Sequence, residues 1–335
     1  MTLIAKLHRS YMRRAGHQAL KSHFADPAMP LDLPPVRIGA TQSPLGQWDI
    51  RIRRDGGGFQ IEIPETARSR SARSSILQRM AAFLYWFTQA GPEVSEITAN
   101  TSDGDRMGLG QFAFSGRPAR VALLPDYYFF RDRGYLKQRR MAEKGAVRWA
   151  DRSEEIVWRG GNTGQGLLDP DPAMADNPLL NQRVRLALKA PEAGIDMRFV
   201  SAIDGAGAYE RAGLIGERQP AETWLGRKYA VDVDGFSNAW DNFFHRLLFG
   251  CCVLKVESQG GFRQWYYDRL RPFEHFVPVR ADLSDLTEQV AWMRDNPQDA
   301  EQIARNGQAV ARAMTFEAES RWAGREIDRV CRGAG

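Results

Sequence analysis

The chain opens on a helical pattern. Leu3, Ile4, Leu7 and Tyr11 recur on one face of residues 1–24, with Lys6, Arg9, Arg13, Arg14 and Lys21 supplying charge. Such a segment suits either a terminal helix packed on its own domain or a helix lying on an anionic membrane surface. Residues 26–46 are proline-rich and read as a connecting arm. Strict alternation over 47–55 and 58–64, around Asp55-Gly-Gly-Gly58, predicts a hairpin. Ile76, Met80, Phe83, Leu84 and Phe87 then recur at helical spacing and predict a helix over 71–89.

Short strands are expected at 96–99, 111–115 and 121–124, the last running on into the aromatic stretch 125–130. Residues 131–150 are charged with little apolar periodicity and read as a bridge between two domains. Beyond them strand and helix patterns alternate: strands at 155–158, 196–200, 229–233, 252–256 and 275–279, and helices at 177–189, 239–249 and 283–294. Two long helices, 298–313 and 316–331, close the chain. Alternation of this kind predicts an α/β fold with a parallel sheet. The expected organisation is a helix and arm over 1–46, a first domain over 47–135, a linker over 136–152, a second domain over 153–315 and a closing helix over 316–335.

A length of 335 residues accommodates two such domains, and 43% hydrophobic with 26% charged residues is an ordinary globular balance. No run approaches the ~20 apolar residues of a spanning helix, and residues 1–14 lack a secretory apolar core. Three cysteines without a CxxC support neither a zinc ribbon nor a disulfide framework, so a reducing, cytoplasmic setting is expected. Net charge is +5, and arginine outnumbers lysine. That excess favours phosphates, nucleotides or acidic lipid as partners without marking a nucleic-acid binder.

In a parallel sheet the chemistry belongs in loops after strands. Arg159 ends one strand and is followed by Gly160-Gly161-Asn162-Thr163-Gly164, either a phosphate-holding loop or a glycine turn with a surface arginine. Lys228 precedes the strand carrying Asp232 and Asp234, after which come Gly235, Phe236, Ser237 and Asn238. This Asp-x-Asp reads as a metal-nucleotide motif or, more economically, as part of a cap on the helix starting near Ala239, whose N–H groups would face an anion. Lys255 ends its strand as a phosphate contact; Trp265, Tyr266 and Tyr267 follow as base-stacking or core aromatics, with Tyr266 the better placed to bind. The polar run Asn100-Thr-Ser-Asp103-Gly-Asp105-Arg106 offers a carboxylate as general base or is simply a turn. His245 and His275 have no metal spacing, and no G-x-S-x-G elbow occurs.

The block Lys228-Tyr-Ala-Val-Asp-Val-Asp-Gly-Phe-Ser-Asn-Ala-Trp240, the run 247–255, the run 264–272 and the run 275–286 together resemble glycosyltransferase family 90, and Trp158-Arg159-Gly160 resembles its aromatic-Arg-Gly loop. The resemblance runs over about residues 95–315. It implies a GT-B architecture of two Rossmann-like domains, and inverting transfer from a UDP-sugar with no metal and no other cofactor. Asp103 matches the family's catalytic base. Arg159 matches its diphosphate arginine, and Ser237 lies in its nucleotide loop. Gly160, Thr163, Lys228, Asp234, Asn238, Lys255 and Tyr266 complete the nucleotide-sugar set.

Where eukaryotic members carry Ser-x-Arg-Phe, this chain reads Ala239-Trp240-Asp241-Asn242-Phe243, which resembles the bacterial branch and leaves Lys255, Arg246 or Lys228 to compensate. The acceptor implied is a hydroxyl of a cell-surface glycan, most simply lipopolysaccharide core, at the inner membrane face. The alternative is a module of the same fold that binds nucleotide-sugar or nucleic acid without chemistry.

Overall fold

The computed structural model describes residues 3–42, 44–104, 108, 110–200 and 205–333, with side chains described from Arg9 onward. Asp105 and Arg106 of the polar loop, and the side chains of Leu3, Ile4, Lys6 and Leu7, lie outside the described set. Two compact units emerge: one built from 1–134, 263–265 and 315–335, the other from 135–262 and 266–314.

The first unit is a mixed sheet flanked by helices. Helix α1 (Leu3–Phe24) buries Met12, Leu20 and Phe24. It packs so closely that a Cβ on Gly16 would stand 2.6 Å from Ile38 Cδ1, so any larger residue there must displace the Ile38 side chain. Strand β1 (Val36–Thr41) follows, inside what the sequence presents as an arm. It was illegible because only Ile38 of its six residues is buried, leaving no alternation to detect. The predicted hairpin is β2 (Asp49–Asp55) and β3 (Gly58–Pro64), antiparallel, with β1 pairing parallel to β3.

Helix α2 (Arg70–Thr88) is capped by Ser69, whose hydroxyl accepts from Ala72 N at 3.1 Å. Strands β4 (Glu96–Asn100), β5 (Phe112–Ala113) and β6 (Ala122–Leu123) complete the order β1-β3-β2-β4-β5-β6. The aromatic stretch expected to extend β6 is instead helix α3 (Tyr127–Arg131). Aromatic residues favour strands, but Asp126 accepts from Phe129 N at 2.9 Å and starts a helix there.

The second unit begins with α4 (Leu136–Lys144). It is tied into that unit by Arg139, whose guanidinium donates to the carbonyls of Ala311, Arg312 and Met314 at 2.6–3.1 Å. Next come β7 (Ile156–Gly160), α5 (Gln182–Lys189), β8 (Ile195–Phe199), α6 (Ala206–Arg211), β9 (Tyr229–Asp232), α7 (Asp241–Leu248), β10 (Cys252–Val256), β11 (Val277–Val279), α8 (Leu286–Asp295) and α9 (Pro297–Ala313). Strands β7 and β8 pair parallel, as do β9, β10 and β11 in the order β11-β10-β9. A parallel bridge between Ser153 and Arg227 links the two ladders.

Val231, Val233, Leu254, Val256, Val277 and Ile195 form a shared core beneath the flanking helices. Each such side chain contributes roughly 1.5–3 kcal/mol on burial, which holds this sheet together. The predicted α/β architecture with parallel sheets is therefore present. The last helix, α10 (Phe316–Arg332), belongs to the first unit, where Glu319 accepts from Trp265 Nε1 at 2.8 Å.

Candidate functional site

Three loops leave the carboxyl ends of β7, β9 and β10 on one side of the second unit and meet the start of α5. Between them lies a cavity of about 300 Å³, lined by Gly164–Gly166, Pro178, Leu179, Asn181, Gln182, Asp234–Ser237, Ser258–Gly260 and Phe262. Carboxyl-end loops of a parallel sheet are where such folds hold ligands. Two glycines let the loops approach. Gly164 has φ +142°, and a Cβ there would lie 2.5 Å from Asn181 Nδ2; one on Gly235 would lie 3.0 Å from Thr163 Oγ1.

Arg183, in the first turn of α5, staples these loops together. Its Nε donates to the carbonyl of Asp234 at 2.9 Å and Nη2 to that of Val233 at 3.1 Å. Its Nη1 reaches the Gly161 carbonyl and Thr163 Oγ1, both at 2.9 Å. The guanidinium also lies 5.4 Å from the ring centre of Trp158. No motif in the sequence marks Arg183, because its role depends on two loops some 20 and 50 residues away in chain order.

Beneath the cavity floor sits a buried charge cluster. Lys255 Nζ lies 2.8 Å from Asp232 Oδ2 and 3.1 Å from Asp234 Oδ1, and the three residues are 7%, 0% and 5% exposed. Asn242 donates its amide to Asp232 Oδ1 at 2.8 Å. Burial alone would depress the lysine, but the two carboxylates outweigh it and hold the ammonium charged well above its ordinary range. Burial pushes Asp234 up, against the opposing pull of Lys255 and Ser258. The place between the carboxylates, where the less economical reading of the Asp-x-Asp would put a metal, is filled by the lysine ammonium. Lys255, expected as a free phosphate contact, is engaged by both carboxylates.

The other predicted residues fall into three groups. Asp234 and Ser237 line the cavity. Thr163 and Asn238 stand beside it, Thr163 accepting from Arg183 and Asn238 donating to the Phe262 carbonyl at 3.3 Å, while Gly160 ends β7 against the Trp158 ring. Arg159, Lys228 and Tyr266 are turned elsewhere. Arg159 donates to the Asp196 carbonyl at 2.8 Å and pairs with its carboxylate on neighbouring β8. Lys228 pairs with Glu154 at 2.6 Å and precedes β9, ~20 Å of extended chain from Asp234, at the amino end of the sheet.

Tyr266 is fully buried among Phe243, Phe244 and Tyr267, so it is a core aromatic; Tyr267 is the partly accessible member, 5.5 Å from Lys255 Nζ. Arg246 packs 3.6 Å over Trp224, and burial lowers its pKa to about 10. The helix expected to start near Ala239 starts at Asp241. Its cap residue is Trp240, at φ +53° and without a side-chain cap bond, rather than one of residues 234–238.

Asp103 belongs to the first unit, just past β4. Asn100 Oδ1 accepts from Ser102 N at 2.9 Å, and Asn100 Nδ2 donates to Asp49 Oδ1 at 2.9 Å. Gly104, at φ +100°, completes the turn and leaves Asp103 half-buried. Arg79 donates to the Thr101 carbonyl at 2.8 Å. Burial lowers the pKa of this arginine, while the charges of Asp103 and Asp126 oppose the shift. A carboxylate on a hydrogen-bonded turn, in the field of a nearby cation, can accept a proton. Among the described residues no group of three His, Cys, Asp or Glu is placed to hold a metal ion, and no helix is long and apolar enough to cross a membrane.

Comparison with known proteins locates the cavity in a family. The chain is 30% identical over 174 residues to uncharacterized protein 035R of Invertebrate iridescent virus 3, covering 47% of this chain and 15% of that protein. It is 41% identical over 87 residues to protein O-glucosyltransferase 3 of Rattus norvegicus, covering 26% of this chain and 16% of that protein. The chain thus spans only about a sixth of the length of these curated relatives. Among solved structures, Anabaena Alr3699/HepE in complex with UDP-glucose overlaps at a TM-score of 0.32 and 13% identity, over 60% of this chain and 52% of that one. The model of glycosyl transferase family 90 matches residues 135–317, a stretch that contains the whole cavity and leaves the Asp103 turn outside. Because that match takes in more than half of the 335 residues, the chain belongs to glycosyltransferase family 90.

Proposed function

We propose that this protein is an inverting, metal-independent glycosyltransferase of the bacterial type, moving a hexose or pentose from a UDP-sugar to a hydroxyl of lipopolysaccharide core. The observation that carries this reading is the cavity at the carboxyl ends of parallel strands inside the family-matched residues. Relatives named as protein O-glucosyltransferases support sugar transfer to a hydroxyl. In this reading the two units are the halves of a GT-B enzyme, and neither the donor nor the acceptor requires a further cofactor.

The UDP moiety occupies the cavity, with Ser237 and Asp234 at its wall and the charge of Arg183 at its edge beside Gly235. Asp103 takes the acceptor hydroxyl proton as that oxygen bonds the anomeric carbon and the bond to the diphosphate breaks on the opposite face. Positive charge near the leaving oxygen stabilises the transition state. A diphosphate at the end of β7 draws Arg159 from its partner Asp196.

The test is thermal stabilisation by UDP and a panel of UDP-sugars, with and without EDTA, paired with slow UDP-sugar hydrolysis. Asp103→Asn is expected to keep UDP stabilisation and lose hydrolysis. Loss of UDP binding in that variant refutes the base assignment, and stabilisation that disappears with chelator refutes metal independence. The bond from Asn242 to Asp232, at the position where eukaryotic members place an arginine, favours one second reading: a binding module without chemistry. Hydrolysis that is absent from the parent protein while UDP still binds selects that reading.

A further inference from the structure

Helix α1 carries no acidic residue anywhere in its 22 positions. Its inner side is buried, through Met12, Leu20 and Phe24. Its outer side presents Ser10, Arg13, Arg14, His17, Gln18 and Lys21, spaced i, i+3, i+4, i+7, i+8 and i+11, so that all six project along one row. Arg13, Arg14 and Lys21 are exposed. Arg9, at the edge of the row, pairs with Glu65. No described carboxylate pairs with Arg13, Arg14 or Lys21, although elsewhere exposed arginines such as Arg148 and Arg329 are matched by acids one turn away.

An unmatched cationic row of this length is complementary in charge to an extended anionic surface. From Arg13 to Lys21 it spans ~12 Å of helix axis. The shallow depression between its side chains is lined by α1 alone, so no second element encloses a small anion such as a free phosphate. Tyr11, 56% exposed, flanks the row with an amphipathic ring of the kind that sits at a lipid–water boundary. Beyond that one ring the row offers no aromatic platform on which successive nucleic-acid bases would stack.

We propose that the outer row of α1 docks the protein on an anionic lipid surface, with Arg13, Arg14 and Lys21 on the headgroup phosphates. The docking follows from the charge layout of one helix and is separate from the cavity and its chemistry, so it stands or falls independently of sugar transfer.

The experiment is co-sedimentation of the full chain with vesicles of phosphatidylcholine alone and of phosphatidylcholine containing phosphatidylglycerol. Binding is expected only to the anionic vesicles, and it should fall steeply as salt shortens the Debye length. Each cation near such a surface contributes about 5-fold to partitioning. The triple variant Arg13→Gln, Arg14→Gln, Lys21→Gln is therefore expected to lose roughly 100-fold, with its thermal unfolding unchanged because all three side chains are exposed. Equal binding to neutral and anionic vesicles overturns the proposal, as does a triple variant that binds like the parent. A triple variant that loses affinity for a single-stranded oligonucleotide while keeping its vesicle affinity assigns the row to nucleic acid instead.

Discussion

Removal of the ammonium from the buried cluster beneath the cavity tests how that floor is held. In Lys255→Met the apolar stem is replaced at similar volume, so packing is nearly conserved. What disappears is the ammonium lying 2.8 Å from the carboxylate of fully buried Asp232 and 3.1 Å from that of Asp234, which is nearly buried at the cavity wall. Breaking a buried pair by deleting one partner costs about 3–5 kcal/mol. Here two carboxylates are stranded at once, which places the loss at the upper end of that range. Against a typical total of ~5–15 kcal/mol this is a large fraction.

The loss should depend on pH in a definite direction. Asp234 is already pushed up by burial, and without Lys255 it rises further. A carboxylate whose folded pKa is raised destabilises the fold when ionised, so the deficit is greatest at neutral pH and shrinks as acid protonates it. Urea unfolding of parent and variant at neutral and mildly acid pH reads both effects. A second variant, Lys255→Met with Asp232→Asn and Asp234→Asn, removes all the charges and should recover much of the stability, since uncharged replacements of buried ion clusters are often neutral. A deficit below about 1 kcal/mol at neutral pH refutes the reasoning, because it would mean the ammonium is not desolvated between the two carboxylates.

Two other outcomes follow from named contacts. Arg183→Ala releases the loops that bound the cavity; a single hydrogen bond from a charged donor is worth about 1.5–3 kcal/mol, so if loop release costs binding the equivalent of one such bond, UDP is expected to bind roughly 10- to 100-fold more weakly by calorimetry. Arg183→Lys should not restore it, because an ammonium cannot span the two loops as a planar fork does, and UDP affinity within twofold of the parent would show that the staple is dispensable. His275 is held below its ordinary 6.5 by burial, with Nδ1 accepting from Arg271 N at 2.9 Å. The contribution of a neutral buried imidazole is complete above pH 6.5 and is lost as pH falls through its lowered folded value, so the parent should lose stability relative to His275→Gln as pH falls below 6.5. Parallel stability curves for the two proteins would exclude that role.

Periodicity carried most of the elements. The hairpin at β2 and β3 and the helix α2 were legible from their periodicity, and the parallel strands β9 and β10, buried at every residue, from short apolar runs that alternate with helical patterns. The residues 228–286 pointed to the family, and the unacidic, arginine-rich row of α1 was visible as composition. Where local signals compete or burial is slight, sequence was silent or misleading: β1 buries a single side chain, and the cap at Asp126 turns an aromatic run into α3.

The site depended more heavily on tertiary structure. Which charges remain available is decided by neighbours distant in the chain: Asp196 engages Arg159, Glu154 engages Lys228, and Asp232 with Asp234 engages Lys255. Arg183 became important only when two loops from different strands converged on it. The sequence by itself determined which residue types stand at the strand ends, since that follows from local period and turn chemistry. Only the tertiary structure decided which of them line the cavity, because pairing a charge is a property of distance in space and not along the chain.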